Sequence, residues 1–473
     1  MKKFWVAAML ALVCGVISAA PATLEQTRVV ASNFYQNAVA QTLDAPQLVY
    51  TATVSVRGEN TACFHVYNVG RGFVIVSADD RVKPVLGYSS EGCFNPQDIP
   101  FGLQDLLQGY TREISEIMQQ VSVPDAQLKA EWQSLLDGTF RPVRSGRSVP
   151  ALLDDATGIN NWQQNNGYNY YCPAEPNGPA GKCYVGCCAL SMGQVMHYWR
   201  HPAQGTGSHS YECNHSAHLQ GQYGDYGILS ANFGTTTYDY NNMPNHLTSS
   251  TPSSQILPIA KLLYHAGVSI EMWYGSQGSM GFHADIADAL ETYFKYDECL
   301  TLWKNSYSGD WEALLKEDLD LGRPIIYCAY TDGGAGHEFV CDGYDANNYF
   351  HFNMGWGGSY NGFYAIGNLN AQYNFSSSHG AVAHIRPLAG GTEGVDENGM
   401  RLVVYPNPVD DQLVVECEGA QEVFLYDMMG QKVAEVRETA EKCSINLSGL
   451  ASGTYFVKVV GTHGTSVRKV LKR

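Results

Sequence analysis

Residues 186–199 constrain the fold of this chain more than any other stretch. They include no Asp, Glu, Lys or Arg, and small or apolar residues recur at helical spacing: Ala189, Met192, Gly193, Met196 and Trp199. This spacing predicts a buried helix that begins near Cys187, because a helix without a charged face has to be covered by other elements. Gly186 precedes the helix and allows the backbone to turn sharply into its first turn.

Length and charge bound the class of protein. The 473 residues allow about three domains that each bury a core. Because hydrophobic residues make up 45% of the chain and charged residues only 16%, we expect neither a disordered chain nor a coiled coil. The 46 acidic and 29 basic residues give a net charge of −17, which phosphate backbones and anionic lipid repel. We therefore expect no nucleic-acid partner.

The first twenty residues predict a signal peptide. A basic start at residues 1–3 precedes an uncharged apolar run at residues 4–17, and residues 18–22 supply the small side chains that a signal peptidase requires. The run is short for a membrane span, and no later window holds eighteen uncharged apolar residues. We therefore expect an exported protein without a membrane span.

The chain contains 13 cysteines, of which twelve remain once Cys14 is removed with the signal peptide. An even count in an exported protein is compatible with disulfides, but twelve is far below the density of a disulfide scaffold. Cys328 and Cys341 lie in apolar, strand-like contexts and are interpreted as core residues. The pairing is left open.

Residues 21–147 predict a small α+β unit. Its predicted elements are a helix at 28–41, strands at 49–54, 64–69 and 73–77, and a helix at 103–121. The unit closes with a basic, proline-containing stretch, residues 141–147, in an otherwise acidic chain. Such a stretch is typical of an exposed linker that proteases cut, so we expect processing near Arg144 or Arg147.

Three further segments follow along the chain. Residues 148–388 are rich in glycine, asparagine and tyrosine and contain the candidate chemistry. Residues 389–402 form a linker. Residues 403–473 consist of short alternating stretches separated by turn signals, which predicts a small antiparallel β-sandwich.

Cys187 is the candidate nucleophile. A thiol at a helix N-terminus faces unpaired amides and the positive end of the helix dipole, which favour the thiolate. The same amides can donate to an oxyanion beside the sulfur. Cys188 points about 100° away and lies closer to the buried stripe, so we interpret it as packing. The alternative for Cys187 itself is another buried thiol.

His337 is the candidate partner of that thiol. It follows the glycine-rich residues 333–336 and precedes an apolar strand, so the ring would be fixed yet open to a cleft, with Gly336 leaving room for substrate. Downstream, the Asn353 side chain could accept a hydrogen bond from the far ring nitrogen, and Trp356 could shield that bond from water. The alternative is a histidine that is merely satisfied at a strand start.

These motifs together resemble a known family. Gly186-Cys187-Cys188-Ala189, Gly336-His337 and Asn353 with Gly355-Trp356-Gly357-Gly358 resemble the streptopain family of papain-like cysteine peptidases. The first unit resembles the inhibitory propeptide of that family, notably at residues 72–80 and 85–89. The tail resembles the type IX secretion sorting domain of Bacteroidota, notably at residues 405–408, 425–427 and 450–455.

The resemblance implies an α+β fold, with a papain-like cysteine peptidase catalytic domain preceded by an α+β prodomain and followed by a small all-β sandwich. It implies Cys187 as nucleophile, His337 as general base and acid, and Asn353 and Trp356 in the segment that orients and covers the histidine. The substrate cleft would be lined by Gly336 and by a loop that contains Ser276, Gln277, Gly278 and Ser279. It implies no metal or cofactor.

The same resemblance implies the partners and the location. Protein or peptide substrates, the chain's own propeptide as inhibitor and the type IX secretion machinery are the expected partners. The mature protein would be secreted or held at the outer-membrane surface. Two other functions stay open: a non-catalytic surface binding protein or adhesin on the same fold, and a thiol transglutaminase or amidase.

Three departures from the family pattern bear on the site. Gly181, next to Lys182, stands six residues before the cysteine, where papain-like enzymes usually have the oxyanion-hole glutamine. Cys188 replaces the usual valine and adds a thiol that could be oxidised against Cys187. Glu338 replaces a small residue after His337, and strand alternation points it away from the ring. We expect Glu338 to alter specificity or pH response without loss of activity.

Other polar clusters are given structural interpretations. Four residues of a loop-like stretch lack the second ligand pair of a zinc site: His209, Cys213, His215 and His218. Residues 342–348 do not fit an EF-hand and are interpreted as a hairpin turn. The remaining histidines of the segment are interpreted as satisfied core or surface residues: His351, His379 and His384.

Overall fold

The structure is a computed structural model, and it describes most of the chain. The described residues are 21–39, 44–56, 58–119, 126–143, 147–153, 161–218, 221–330, 336–367, 369, 378–388, 402–405, 409–417, 419–427, 430–437, 442–462 and 464–472. The predicted signal peptide, Arg144 and linker residues 389–401 lie outside these ranges.

The described residues contain helices in the first two units and strands in all three. The α-helices are α1 (Leu24–Ala38), α2 (Phe101–Gln119), α3 (Ala126–Leu136), α4 (Cys187–Trp199), α5 (Ser253–Ser269), α6 (Asp285–Phe294) and α7 (Trp311–Asp320). The strands of the first two units are β1 (Gln47–Val56), β2 (Glu59–Val69), β3 (Gly72–Ser77), β4 (Val85–Ser89), β5 (Ser208–Asn214), β6 (Asp225–Asn232), β7 (Leu300–Trp303), β8 (Ile325–Tyr330), β9 (Gly336–Tyr344), β10 (Phe350–Asn353), β11 (Gly362–Tyr364) and β12 (Ser378–Ala383). Those of the third unit are β13 (Leu402–Tyr405), β14 (Gln412–Cys417), β15 (Ala420–Asp427), β16 (Lys432–Arg437), β17 (Lys442–Asn446), β18 (Gly453–Gly461) and β19 (Gly464–Lys472).

One antiparallel sheet joins the first unit to the second. Among the described residues it has ten strands in the order β1-β2-β3-β4-β11-β10-β9-β8-β12-β7. The junction is the pairing of β4 with β11, where Gly87 faces Tyr364. A Cβ at Gly87 would lie 2.7 Å from the Tyr364 ring, so glycine allows this close approach. The first unit therefore covers what would otherwise be an edge of the sheet that carries His337.

The start of α1 shows a feature that the sequence analysis missed. The predicted helix at 28–41 begins earlier, at Leu24, because Thr23 and Gln26 form a capping box. The Thr23 Oγ1 accepts from the Gln26 N–H at 3.2 Å, while the Gln26 Oε1 accepts from the Thr23 N–H at 2.8 Å. These two bonds satisfy N–H groups that a helix start leaves unpaired.

Helix α4 confirms the prediction of a buried helix that begins at Cys187. Apart from Cys187 and Tyr198, its side chains are buried. A Cβ at Gly193 would lie 2.3 Å from Leu263 Cδ2, so glycine lets α4 pack closely against α5. Across the described ranges, the structure has no helix that combines enough length and apolarity to cross a membrane.

The last unit has the predicted β-sandwich form. In its described residues, the sheet β13-β14-β17 and the sheet β16-β15-β18-β19 enclose a separate apolar core. Glu416 on β14 accepts hydrogen bonds from Arg323 at 3.2 Å and from Arg386 at 2.7 Å, both in the second unit. This ion cluster attaches the sandwich to the second unit beside β8 and β12.

We expect Glu416→Gln to lower the thermal unfolding midpoint of the full chain. Arg323 is 6% exposed, so a lost carboxylate leaves part of its charge uncompensated, at a cost of about 1–3 kcal/mol. The matched control is Glu435→Gln, which removes a surface pair with Lys432 and should change the midpoint little. Equal shifts for the two variants would contradict the role of Glu416.

Candidate active site

The structure places Cys187 at the first position of α4, where it is partly exposed. Gly186, the N-cap, has φ +90°, a conformation that favours glycine. A Cβ there would lie 2.7 Å from the Met272 side chain and 3.2 Å from the Ser279 carbonyl oxygen. Gly186 therefore allows both the turn into the helix and the approach of residues 272–279 to the thiol.

The surroundings of the Cys187 sulfur favour its charged form. A hydrogen bond from the Cys188 thiol holds the pKa of Cys187 well below its usual value, and the His337 charge, a hydrogen bond to His337 and the Glu338 backbone N–H act in the same direction. These contributions outweigh burial, which acts in the opposite direction. Cys188 is buried, as predicted, but it also serves as a donor to its neighbour.

His337 is the second residue of β9 and is buried beside that sulfur. Burial disfavours the charged ring, but the Cys187 charge and hydrogen bond, with the Met354 carbonyl, raise the pKa of His337. Its Nε2 lies 3.2 Å from the Met354 carbonyl oxygen, which leaves Nδ1 to face Cys187. The Trp356 ring stacks on the imidazole at 5.8 Å between centroids and 25° between planes. The thiol and the ring therefore form a polarised pair.

Asn353 lies at the end of β10 and is fully buried. Its Oδ1 accepts from the Gln194 Nε2 and from the Gly355 N–H, each at 3.1 Å. The acceptor described for the far nitrogen of the His337 ring is the carbonyl of the next residue, Met354. A bond from Asn353 to the ring stays a prediction. The sequence assigned no role to Gln194, although a buried amide side chain two turns after Cys187 on a largely apolar helix is a usable signal.

The expected cleft-wall loop lies directly beside the cysteine. Ser279 Oγ donates to the Tyr184 carbonyl at 2.7 Å and accepts from the Gly275 N–H at 3.2 Å. Ser276 and Gly278 are half-buried and Gln277 is exposed at the tip. Gly336 is exposed at the start of β9, and a Cβ there would meet the Tyr330 ring at 2.3 Å. The structure thus brings the loop to the site, and substrate contact by these residues stays a prediction.

Residues of the first unit reach into the same region. A cavity of about 610 Å³ is lined by Asp98 and Gln104 of that unit and by Gln163, Tyr184 and Trp356 of the second. The next residue on α2, Asp105, has a buried Oδ2 without a hydrogen-bond partner among the described residues. Burial raises the pKa of Asp105 to about 7, with the His337 charge lowering it and the Cys187 charge raising it. No motif in the sequence indicated Asp105.

Position 181 lacks the expected glutamine, but another glutamine, Gln164, lies near the cysteine. Lys182 Nζ donates to the Cys172 carbonyl at 3.0 Å, which is a structural contact. Gln164 is 6% exposed, and its carbonyl accepts from the Val185 N–H at 3.0 Å, two residues before Cys187. Sequence reasoning missed Gln164 because it searched at a fixed spacing from the cysteine, whereas the fold brings residues 162–164 back beside it.

The structure corrects the loop interpretation of the histidine- and cysteine-containing stretch. The stretch with His209 and Cys213 is not a loop but strand β5, paired with β6, because alternate residues such as Tyr211 and Cys213 pack inwards. One other group of donors lies close together in the described residues, with one atom each from His283, Cys328 and Glu338 within 4.8 Å. His283 and Glu338 already bond each other, so we assign the group no metal.

The remaining polar clusters have structural partners. Residues 345–349 form the turn between β9 and β10, whereas residues 342–344, which were predicted to belong to this turn, lie in β9. His351 bonds Asp342 at 2.6 Å, and His379 bonds Tyr327 at 2.8 Å. In the described part of the chain twelve cysteines are free thiols, including Cys328 and Cys341, which are buried as predicted.

Family models match three parts of the chain. A model of the peptidase C10 family matches residues 162–364, and a model described as Spi protease inhibitor matches residues 19–114. A secretion system C-terminal sorting domain model matches residues 403–473.

Two curated relatives and one solved structure are similar to most of the chain. The thiol protease/hemagglutinin PrtT of Porphyromonas gingivalis is 28% identical over 84% of this chain, which spans only 45% of that relative. Streptopain of Streptococcus pyogenes is 29% identical over 68% of this chain and 80% of its own length. A prointerpain A fragment from Prevotella intermedia has a TM-score of 0.54 at 25% identity and covers 73% of this chain, which covers 99% of the fragment. This likeness confirms the predicted fold class.

Proposed function

The chain belongs to the peptidase C10 family of cysteine peptidases, with an inhibitory propeptide domain and a secretion sorting domain, and we propose that it is the exported zymogen of an endopeptidase. The sorting domain assigns it to secretion or to the cell surface. The observation that carries the proposal is the contact between Cys187 at a helix N-terminus and His337 on β9. Its substrates are peptide bonds in proteins.

The proposed reaction proceeds in two acyl-transfer steps. The Cys187 thiolate attacks the peptide carbonyl carbon, and the His337 imidazolium donates its proton to the departing amine. In the second step His337 accepts a proton from water, whose oxygen attacks the thioester carbon and releases Cys187. The low pKa of Cys187 and the raised pKa of His337 keep the pair charged before substrate binds.

The oxyanion would be stabilised at the start of α4. The Cys187 backbone N–H is one of the unpaired amides of the helix N-terminus, and it lies beside the attacked carbon when sulfur adds. We assign the side-chain donor to Gln164, since its backbone bond to Val185 holds it next to the cysteine. The amide of Gln164 would thereby replace the glutamine that is absent at position 181.

We expect Trp356→Ala to lower kcat/KM for a fluorogenic peptide by roughly tenfold to a hundredfold. The stacked indole limits the movements of the His337 ring, and a loosely held acid–base group loses part of its contribution. Trp356→Phe keeps an aromatic face and should retain most activity. Equal losses in both variants would show that stacking on the ring is not the function of Trp356.

The inhibitory unit would be removed after export. Its strands continue the catalytic sheet through β4, and its helix α2 places Asp105 beside the catalytic pair. The predicted cut near Arg147 is compatible with an exposed side chain there, which pairs with Asp320 at 3.0 Å. Peptide mapping of the mature protein would locate this cut.

The test of the proposal combines hydrolysis with labelling of the thiol. Under reducing conditions the processed protein should cleave casein, and an epoxide-type thiol inhibitor should abolish cleavage and label Cys187. Absence of both cleavage and label would favour a binding protein on the same fold. Incorporation of an amine into protein in place of cleavage would favour a transglutaminase.

A further inference from the structure

Five aromatic rings form a cluster at the surface of the second unit. The Trp273 ring lies at its centre, and the other ring centroids lie 4.5 Å (His215), 4.8 Å (His218), 5.5 Å (Phe282) and 5.8 Å (Tyr223) from it. Phe282 is 45% exposed, His218 is exposed and the other three are half-buried. None of the five belongs to the buried apolar core that the described residues of this unit form, so core packing does not account for this Trp273 cluster.

The cluster is built around the loop that is expected to form a wall of the cleft. Trp273 and Met280 close that loop, residues 274–279, because the N–H of each donates to the carbonyl of the other, at 2.8 and 2.9 Å. A Cβ at Gly275 would lie 3.4 Å from the Tyr223 ring, so this ring packs directly on the loop. Two rings of the cluster therefore flank the expected cleft wall.

Two glycines bring the same segment against the start of α4. A Cβ at Gly186 would lie 2.7 Å from the Met272 side chain, and a Cβ at Gly281 would lie 3.2 Å from the Cys188 sulfur. Met272 and Gly281 directly precede the Trp and Phe rings of the cluster in the chain. A peptide bound at Cys187 would therefore reach the cluster within a few residues.

The chain around the cluster is acidic. Residues 208–232 and 270–288, which carry the five rings, contain no Lys or Arg, and their acidic residues are Glu212, Asp225, Glu271, Asp285 and Asp288. Burial lowers the pKa of His215, so its ring adds an aromatic face and no positive charge at neutral pH. Aromatic faces attract cations, and the carboxylates would draw a basic side chain to the same surface.

The chain itself contains a basic candidate substrate. Residues 141–147 include Arg141, Arg144 and Arg147 in a chain of net charge −17, and processing is expected in this stretch. A surface that recognises basic side chains beside the cleft would match this stretch better than it matches the acidic remainder of the chain.

On these grounds, and resting on the proposed function, we propose that the Trp273 cluster is a specificity site that binds an Arg or Lys side chain of the substrate. The rings and the surrounding carboxylates hold the cation, while a peptide bond a few residues away lies at Cys187. The cluster takes no part in the acyl-transfer steps, so it determines the choice of substrate and not the reaction.

The test compares pairs of fluorogenic peptides that differ at one residue, which is Arg in one peptide and its neutral isostere citrulline in the other. That residue is moved through the positions on both sides of the scissile bond. With processed protein, kcat/KM should favour Arg over citrulline by roughly threefold to thirtyfold at one position. The ratio of the two values is the readout, because a general loss of activity cancels in it.

Trp273→Ala should bring this ratio close to one, and Trp273→Phe should keep part of it. Phe282→Ala, at an exposed position, is the second variant should Trp273→Ala not fold, and it should also lower the ratio. The matched control is Tyr170→Ala, which removes another exposed aromatic ring, packed on Tyr171 outside the cluster. It should leave the ratio at the value of the parent protein.

The possible outcomes separate this proposal from the proposed function. Hydrolysis of the Arg and citrulline peptides at equal rates for every position, or a ratio that falls as far in Tyr170→Ala as in Trp273→Ala, would overturn the specificity site and leave the peptidase in place. Absence of hydrolysis of every peptide by the processed parent protein would overturn the proposed function, and the specificity site with it.

Discussion

Replacing Cys187 by Ala should lower peptide hydrolysis by at least about 10⁴-fold, because removal of the nucleophile leaves only binding and oxyanion stabilisation. The His337 imidazole would lose its charge partner and its hydrogen bond and would return towards an ordinary pKa. The measurement is kcat/KM for a fluorogenic peptide with processed protein under reducing conditions. Processing itself should also fail if the chain cuts its own propeptide, so the variant would accumulate at full length.

The neighbouring thiol provides the matched control. Cys188→Ala removes the hydrogen-bond donor to Cys187 but leaves the nucleophile, so we expect a loss of about tenfold, concentrated on the acid limb of the pH profile. Full activity in Cys187→Ala, or an equal loss in the two variants, would contradict the assignment of the nucleophile.

Asp105→Asn should strengthen the docking of the inhibitory unit on the catalytic domain at neutral pH, and it should make this docking less dependent on pH. The docked helix α2 raises the pKa of Asp105 from 3.8 to about 7, so docking takes up a proton. Docking is therefore tightest below the ordinary pKa of the Asp105 carboxyl. It weakens as the pH rises from about 4 to 7 and stays weak above pH 7. The difference in free energy is of the order of 2–4 kcal/mol, roughly a hundredfold change in docking. An amide cannot ionise and carries no such penalty.

The readout is the labelling of Cys187 in the full chain by a bulky thiol reagent, divided by the rate with iodoacetamide. In the parent protein this ratio should rise between pH 4 and 7 as the inhibitory unit loosens. In Asp105→Asn it should stay low and flat over the same range. The matched control, Asp98→Asn, changes a carboxyl that lines the same cavity and should behave as the parent does. A rise in Asp105→Asn that equals the parent's would contradict the prediction.

Local sequence patterns were sufficient to predict several helices and strands. The apolar spacing after Gly186 predicted α4 and its first residue, because a helix with no charged side chain has few alternatives to burial. The alternating stretches of the first unit predicted β1, β2 and β3, and those of the tail predicted two small sheets. Each of these depends on residues close together in sequence, whose periodicity shows in the chain itself.

Contacts between segments that are distant in the chain were harder to predict from the sequence. Strand β5 was taken for a loop because its polar residues conceal an alternation that only the partner strand β6 completes. The acceptor beside His337 is a backbone carbonyl, and main-chain groups carry no residue-type signal. Gln164 bonds Val185 near the cysteine and Asp105 interacts with the Cys187 charge, and both come from segments at separations that no fixed spacing encodes.

The sequence by itself predicted the candidates for the chemistry, a cysteine at a helix start and a histidine at a strand start, and the order of three units along the chain. Residue type and short-range periodicity are enough for that. Only the tertiary structure decided the surroundings of these groups, such as the buried Asp105 of α2 and the Trp356 ring stacked on His337. Charge and burial act through space over a few ångströms, and that neighbourhood is assembled from segments far apart in the chain.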